Sequence, residues 1–523
     1  MMDTKALRQK ILDLAIRGKL MPQDPNDEPA SVLLERIREQ KKKMVEEGKL
    51  KPKDIKKDSI IFLGEDNLHY EKFQDGTVKC IEDEIPFELP EGWEWTRLGN
   101  LFSTITGNTP STKDASLYGD EYPFYKPTDL DAGFDVCFSE DTVSEKGYKN
   151  GRILPVYSVL VTCIGATIGK TGYIRNSGIC NQQINAILPN TFILPEYTYF
   201  CMCSEFEQQQ IWTNSSATTL PILNKSKFDS LFFPVPPKAQ QTRTVERIKE
   251  LLHFVEIIQQ EKRTLQETIK LTKSKILDLA IRGKLVPQDP NDEPASVLLK
   301  RIRAEKEELI KQGKIKRDKK ESIIFKGDDN SYYLRTGGVE ESLEDWGFDD
   351  LPETWKICCL WELCDYGDCI NVNTEDIAED AWILDLEDIE KDTGTVLKKV
   401  TKAQRNSVST KHKFHSGQVL YSKLRPYLNK VVLSDADGYC TSEILPLEFK
   451  NCVLPEYARY YLMSGTFIAY ANHCSYGVKM PRLGTTDGKK AIFSLPPLSE
   501  QKRIVETIDF CFMKLNKISE ALA

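Results

Sequence analysis

One glycine-containing segment of this 523-residue sequence resembles a phosphate-binding loop. Gly165-Ala-Thr-Ile-Gly169-Lys170-Thr171 follows an apolar run that is typical of a strand. A P-loop has four residues between its glycines, so that the backbone amides can surround a phosphate, whereas this segment has three. The spacing therefore favours a turn between strands, with Lys170 near a phosphate or in solvent.

A second group of residues has side chains that bind metal ions. The group consists of Cys358, Cys359, Cys364, Cys369, His412 and His415. No two of these cysteines are separated by two residues, the spacing that zinc sites usually contain. Buried free thiols are the favoured interpretation. The chain also lacks a glycine-rich dinucleotide motif, a serine nucleophile elbow and the Asn-Pro-Pro-aromatic motif of amino-methyltransferases. We expect no catalytic site of its own.

The strongest local signal is a change of charge. Residues 375–392 contain nine acidic side chains in eighteen positions, and residues 393–434 contain none. Nine basic residues stand in the second segment, where Tyr421-Ser-Lys-Leu-Arg425-Pro-Tyr-Leu-Asn-Lys430 mixes donors with aromatic rings. This mixture suits contacts to DNA phosphates and base edges. The alternative is a solvated basic face that balances the acidic stretch.

From these patterns we predict a set of DNA-contacting residues. The first half of the chain contributes Lys113, Lys126, Asn181, Gln182 and Lys225, and the second contributes Arg405, Lys411, Lys413, Lys423, Arg425, Lys430, Lys479 and Arg482. Polar residues in turns often bond the backbone instead. Because Ser-Lys-Leu-Arg-Pro alternates, we expect an extended strand in which Lys423 and Arg425 share one face. Arg425 would then grip a guanine edge, and Lys423 a phosphate.

A long helix is predicted between the two halves that carry these residues. Apolar residues recur there at spacings of three and four, which is typical of one stripe of an amphipathic helix. The predicted limits are Gln240 and Gly283, a natural C-terminal stop. Gln259 and Lys262 interrupt the stripe, as polar residues do in partner-selective coiled coils. A helix of this length needs a partner to cover its stripe.

Internal repeats predict that partner. Residues 10–38 and 275–303 differ at only two of 29 positions, Met21/Val286 and Glu35/Lys300. A second repeat relates the start of the long helix to residues 498–523. The two ends of the chain therefore correspond to a second copy of the long helix, cut in two. We predict antiparallel helices in a cyclic, pseudo-twofold arrangement whose chain ends meet; a tandem duplication without closure is the alternative.

The remaining segments predict an α+β protein with two mixed α/β modules. Each module opens with Leu-Pro-Glu-x-Trp, contains a Leu-Pro-Glu-Tyr segment and closes with Pro-Pro, and elsewhere the two diverge. The predicted divisions are N-terminal helices at 1–60, a first module at 85–237, a helical spacer at 238–316, a second module at 350–497 and a C-terminal helix at 498–523. Residues 49–84 are expected to be charged and linker-like, with one short strand at Ile60-Ile61-Phe62. Near-identical spacers with divergent modules suggest a fixed frame that presents two recognition surfaces.

Composition narrows the class of protein further. A formal net charge of −8 argues against non-specific coating of nucleic acid, but not against reading a specific site. The chain has no apolar run long enough to span a membrane and no signal peptide. Fourteen cysteines without a regular framework fit a reducing compartment. We therefore expect a cytoplasmic protein.

Taken together, these features resemble the DNA specificity subunit of type I restriction-modification systems. The resemblance is carried by the Leu-Pro-Glu-x-Trp openings, residues 417–430, the two Leu-Pro-Glu-Tyr segments, Pro-Pro-Leu-Ser-Glu-Gln-Lys-Arg-Ile-Val from Pro496, and the repeated Lys-Ile-Leu-Asp-Leu-Ala-Ile-Arg-Gly-Lys-Leu. It implies two target-recognition domains, each reading half of a bipartite DNA site in the major groove. The antiparallel spacer helices would act as a molecular ruler.

The same resemblance implies partners. Two methyltransferase subunits would dock along the helices, and restriction-translocase subunits would complete the assembly. S-adenosylmethionine, ATP and Mg²⁺ would belong to those partners, with no cofactor bound by this chain. Two other functions fit the sequence: a cytoplasmic scaffold or adaptor whose duplicated modules bind protein or carbohydrate, and a specificity protein that serves a fused restriction enzyme.

Overall fold

The computed structural model describes residues 3–48, 52–56, 58–216, 220–314, 321–348, 350–405 and 408–522. It divides into an N-terminal unit that ends at Lys262 and a C-terminal unit that begins at Arg263. Helices and short strands are mixed in both units, as the predicted α+β class requires. Across the described ranges, no helix combines the length and the apolar character needed to cross a membrane.

The N-terminal unit contains helices and strands in alternation. Its helices are α1 (Thr4–Ile16), α2 (Ala30–Glu46), α3 (Pro52–Ile55), α4 (Leu98–Leu101), α5 (Glu145–Asn150), α6 (Pro195–Met202), α7 (Glu205–Asn214) and α8 (Lys225–Asp229). Its strands are β1 (Ser59–Leu63), β2 (His69–Phe73), β3 (Val78–Cys80), β4 (Glu94–Arg97), β5 (Thr104–Thr106), β6 (Tyr122–Tyr125), β7 (Asp141–Val143), β8 (Val159–Thr162), β9 (Thr171–Tyr173), β10 (Ile179–Cys180), β11 (Ile184–Ile187) and β12 (Phe232–Val235).

The strands of this unit form small sheets. An antiparallel sheet has the order β5-β11-β8-β9, a second has the order β10-β6-β7 with β10 parallel to β6, and β12 pairs with β4. The strand predicted at Ile60-Ile61-Phe62 is β1, but the rest of residues 49–84 is not the predicted linker, because β1, β2 and β3 form an antiparallel meander there. An ion pair of 2.6 Å between Glu71 on the meander and Arg97 on β4 ties it to the rest of the unit.

The predicted long helix is a single helix in the structure. Helix α9 spans Lys238–Ile281, 44 residues, which corresponds to a length of about 66 Å. The apolar residues that form the predicted stripe of this helix are buried or half-buried. As predicted, Gly283 ends the helix, with a positive φ of 66°. The N–H of Gly283 donates to the carbonyl of Ala280, and that of Lys284 to the carbonyl of Leu279, the bonds of a Schellman motif.

The C-terminal unit repeats the plan of the N-terminal unit. After α9 its helices are α10 (Ala295–Lys311), α11 (Leu360–Leu363), α12 (Pro455–Leu462), α13 (Gly465–His473), α14 (Thr485–Lys490) and α15 (Leu498–Leu522). Its strands are β13 (Ser322–Lys326), β14 (Tyr332–Thr336), β15 (Val339–Ser342), β16 (Lys356–Cys359), β17 (Ile370–Val372), β18 (Trp382–Leu384), β19 (Val400–Thr401), β20 (Lys411–Phe414), β21 (Val419–Ser422), β22 (Val431–Leu433), β23 (Gly438–Thr441), β24 (Ile444–Leu447), β25 (Ser475–Tyr476), β26 (Arg482–Leu483) and β27 (Ile492–Leu495).

Its sheets match those of the N-terminal unit in part. Strands β13, β14 and β15 form a second meander, and β16 pairs with β27 as β4 pairs with β12. A three-stranded sheet has the order β22-β21-β24, and a five-stranded sheet has the order β17-β20-β23-β18-β19. The short pair β25-β26 forms a separate hairpin.

Each unit covers part of α9 with a helix from one end of the chain. Helix α1 packs on the first part of α9, and α15 packs on its last part. The same ion pair occurs in both units, Arg243 with Asp27 and Arg503 with Asp292. Helix α15 therefore corresponds to the start of α9, as the repeats predict. The predicted meeting of the chain ends falls on residues 1 and 523, outside the described residues, and stays a prediction.

Candidate nucleic-acid interface

The basic segment of the C-terminal unit contains a tight turn, here called the C-terminal turn (residues 423–429). The predicted strand through Arg425 is wrong, because β21 ends at Ser422. Arg425 and Asn429 both have left-handed backbone conformations with φ of 50°, and one 3₁₀ turn lies between them. Pro426 has no amide hydrogen with which to continue a strand. Lys423 and Arg425 therefore do not share the face of an alternating strand.

A hairpin lies against this turn, here called the C-terminal hairpin (residues 475–483). The N–H of Arg425 donates to the carbonyl of Pro481 at 2.7 Å, and the N–H of Leu483 to the carbonyl of Lys423 at 3.0 Å. The hairpin tip is exposed and includes Val478 and Lys479. These bonds hold the turn and the hairpin together as one surface.

Free donors and exposed rings lie on that surface. Within the described part of the chain, Lys423, Arg425 and Lys479 form no ion pair, and the buried Nε of Arg425 has no hydrogen-bond partner. Tyr427 on the turn and Tyr476 on the hairpin are 50% and 63% exposed. Cationic donors beside exposed aromatic rings suit contacts to nucleic acid phosphates and bases.

The N-terminal unit has the same turn at the segment that resembles a P-loop, here called the N-terminal turn (residues 163–169). Gly165 and Gly169 have φ of 106° and 88°, and the segment connects β8 to β9. The prediction of a strand-connecting turn is confirmed. Lys170 is not free in solvent, because it lies in an ion pair of 2.7 Å with Asp131; the alternative of a nearby phosphate stays a prediction.

The residues that correspond to the C-terminal hairpin, here called the N-terminal hairpin (residues 215–223, of which 217–219 lie outside the described residues), pack against the N-terminal turn. The N–H of Gly165 donates to the carbonyl of Pro221 at 3.0 Å, just as Arg425 donates to Pro481. Ile164 pairs with Ile222, just as Leu424 pairs with Arg482. The two units therefore present one scaffold, a turn with a hairpin beside it, that carries different side chains.

Most residues predicted as DNA contacts in the N-terminal unit have partners inside the protein. Lys126 forms an ion pair with Asp141, and Lys225 forms one with Asp229. Asn181 is buried, and its side chain bonds the backbone N–H and the side chain of Gln183. Gln182 accepts a hydrogen bond from Thr109, and the exposed members of this set are Lys113, Gln182 and the ion-paired Lys225.

Several residues predicted as contacts in the C-terminal unit are likewise engaged internally. The Arg405 side chain, 10% exposed, forms ion pairs with Asp385, Glu387 and Asp388. Lys411 is buried beside Asp385. The Nζ of Lys430 donates to the carbonyl of Leu386, and burial lowers the pKa of this lysine. These basic residues therefore balance the charge of the acidic stretch 375–392, but they do so as buried or half-buried partners and not as a solvated face. Lys413 is exposed.

The cysteines singled out in the sequence are free thiols. Cys358, Cys359 and Cys364 are buried as predicted, and Cys369 is half-buried. Burial raises the pKa of Cys359 to about 12. The described residues contain no cluster of three or more His, Cys, Asp or Glu that could hold a metal ion.

Comparison with known families gives the family of the two regions that contain these turns and hairpins. The family model of the type I restriction modification DNA specificity domain matches residues 90–267 and 352–521. The chain belongs to this family. Each match contains one turn and one hairpin, so we call the two regions the N-terminal and C-terminal specificity domains. The predicted family resemblance and the predicted pair of α/β modules are confirmed.

Curated relatives match this chain over nearly its whole length. It is 27% identical to the type I restriction enzyme EcoAI specificity subunit of Escherichia coli, over 98% of this chain and 90% of that one. The EcoEI specificity subunit of Escherichia coli is 26% identical over 99% of this chain and 90% of its own. A chain from a solved type I restriction-modification assembly has the same fold, with a TM-score of 0.53, 16% identity, and coverage of 84% of this chain and 94% of that one.

Proposed function

We propose that this specificity chain reads a bipartite DNA target, with one half-site for each specificity domain. The observation that supports this proposal is the repeated scaffold, in which a corresponding turn and hairpin in each domain present different side chains. Two copies of one scaffold suit two contacts of similar geometry, and different side chains suit different bases. The reading residues are then side chains of the turns and hairpins that form no ion pair within the described residues, above all the half-buried Arg425 and Lys423 and the exposed Lys479.

The near-identical spacers support a set of partners. Because residues 10–38 and 275–303 are almost the same, each repeat can offer the same docking surface to one copy of a partner. We propose two methyltransferase subunits in these positions and restriction-translocase subunits in the complete assembly. S-adenosylmethionine, ATP and Mg²⁺ would bind to the partners, and the assembly would act on DNA in the cytoplasm.

Binding measurements with and without the methyltransferase partner test this function. We expect sequence-specific affinity for duplex DNA only in the complex, falling steeply as salt increases because cationic side chains displace counterions from phosphates. Profiling of methylated sites in cells that express the complex should show one motif made of two separated half-sites. A single continuous motif, or no specific affinity in the complex, would contradict the proposal.

Arg425 and Lys423 should affect recognition differently. Arg425→Ala is expected to cost about 1–3 kcal/mol of binding free energy and to relax one position of one half-site. Lys423→Ala should weaken binding to all sequences alike and reduce the salt slope by about one. Lys356→Ala is the matched control, since Lys356 on β16 is exposed and lies outside the turns, the hairpins and the repeated spacer residues. An unchanged methylation motif at full occupancy in Arg425→Ala would remove this residue from the reading surface.

Arg482 is expected to position the hairpin rather than contact DNA. Its guanidinium bonds both carboxylate oxygens of Glu443, at 2.9 and 3.1 Å. Arg482→Glu and Glu443→Arg should each weaken specific binding, whereas the two substitutions combined should restore it, with a coupling of about 1–2 kcal/mol. The affinities of the wild type, the two single variants and the double variant for the target DNA distinguish a positioning role from a direct contact. A double variant as weak as the sum of the single variants would show that Arg482 acts on DNA directly.

A further inference from the structure

The two turn-and-hairpin surfaces differ in their chemistry. Residues 423–429 and 476–482 contain four basic side chains, Lys423, Arg425, Lys479 and Arg482. The corresponding residues 163–169 and 216–222 contain none. The backbone hydrogen bonds that join turn and hairpin nevertheless match within the described residues, with Gly165 and Leu223 donating where Arg425 and Leu483 donate. The difference therefore lies in the reading side chains and not in the frame that holds them.

We infer that the C-terminal domain recognises a guanine through Arg425, whereas the N-terminal domain recognises thymine through its C5 methyl group. This inference rests on the proposed function and goes beyond it, because it assigns a class of base to each domain. The base-edge chemistry of the major groove distinguishes the two classes, since guanine presents two acceptors, N7 and O6, and thymine presents a methyl group.

The C-terminal surface has the donor that guanine requires. Arg425 lies in the C-terminal turn, and its backbone N–H is held by the hydrogen bond to the carbonyl of Pro481. Its guanidinium has no carboxylate partner within the described residues. The neighbouring Arg482 is already held by Glu443. Arg425 is thus the arginine of this surface that is available to form a pair of hydrogen bonds with O6 and N7.

The N-terminal surface offers apolar contacts instead. Glycine occupies the position of Arg425, with φ of 106°. Thr167 is exposed on the turn, and Leu220 and Ile222 are exposed on the hairpin. Trp212 on α7, whose carbonyl accepts the N–H of Ser215, is 52% exposed. Threonine and aliphatic groups are the side chains that pack on a thymine methyl.

Base analogues in the target duplex test both assignments on the assembled complex. Replacing each guanine in turn by 7-deazaguanine removes the N7 acceptor, and replacing each thymine by deoxyuridine removes the methyl group. We expect one 7-deazaguanine to weaken binding of the wild-type complex about tenfold, and to have no further effect in Arg425→Ala. Lys356→Ala should respond to the analogues as the wild type does.

The N-terminal assignment has its own variant. Thr167→Ser keeps the hydroxyl group and removes the methyl group, so the loss that deoxyuridine causes at one position in the wild type should shrink in this variant. Leu220→Ala tests the same methyl contact from the hairpin side, where the loss caused by deoxyuridine should also shrink. The guanine coupled to Arg425 and the thymine coupled to residue 167 or 220 should lie in different half-sites.

The outcomes separate this inference from the proposed function. Specific bipartite binding in which 7-deazaguanine has no effect, or weakens wild type and Arg425→Ala equally, would overturn the guanine assignment while leaving the function intact. Deoxyuridine losses that neither Thr167→Ser nor Leu220→Ala changes would overturn the thymine assignment. Absence of any specific bipartite binding would instead contradict the proposed function.

Discussion

Gly283→Ala should destabilise the C-terminal unit far more than Gly313→Ala, although both glycines follow a helix in the left-handed conformation. Their φ values are 66° and 69°. A Cβ at position 283 would lie 2.5 Å from Cγ of Pro352 and 3.3 Å from Cε2 of Trp355, whereas nothing lies within 4 Å of one at position 313. Left-handed backbone costs about 1–2 kcal/mol for alanine, and overpacking adds about 1–3 kcal/mol.

The two variants form a matched pair for measurement. We expect a loss in the free energy of unfolding of about 2–5 kcal/mol for Gly283→Ala and about 1–2 kcal/mol for Gly313→Ala. Urea unfolding followed by tryptophan fluorescence gives the losses, and hydrogen exchange of α10 and β16 shows whether the change is local to this unit. Equal losses would mean that Pro352 and Trp355 move aside and that backbone strain alone limits the position.

The long helix was predictable because its signals are local and agree with one another. The apolar spacing, the glycine stop and the repeated segments all lie within the residues that form α9 and its neighbours. Of the first meander only the strand at Ile60-Ile61-Phe62 was predictable, for the opposite reason. The stability of this meander depends on distant partners, such as Arg97 for Glu71, which the charged composition of residues 49–84 does not reveal.

The candidate interface was predictable as a region but not in its geometry. The basic segment does contain Arg425 and Lys423, yet alternation alone could not show that the strand ends at Ser422. Composition likewise could not separate Arg425 from Arg405, which forms ion pairs with the acidic stretch. A signal for the repeated turn was present, since Gly or Asn precedes Lys170 and Lys430 and tolerates a positive φ.

Inserting four residues into α9 should change the distance between the half-sites that this chain recognises. A second copy of Gln259–Lys262 placed after Lys262 extends the helix at the boundary of the two units, so that each keeps its own packing. Residues after the insertion move about 6 Å along the axis and turn by about 40° relative to those before it. Because base pairs are 3.4 Å apart, the expected change in spacing is about one to two base pairs.

Methylation-site profiling measures this change directly, since it reports the bases and the spacing together. The bases within each half-site should stay the same, because the turns and hairpins of both specificity domains are untouched. A seven-residue insertion at the same place is the matched control: it adds about 10 Å but nearly two full turns, so it changes the distance with little change in orientation. Altered bases at unchanged spacing would show that α9 does not set the distance between half-sites.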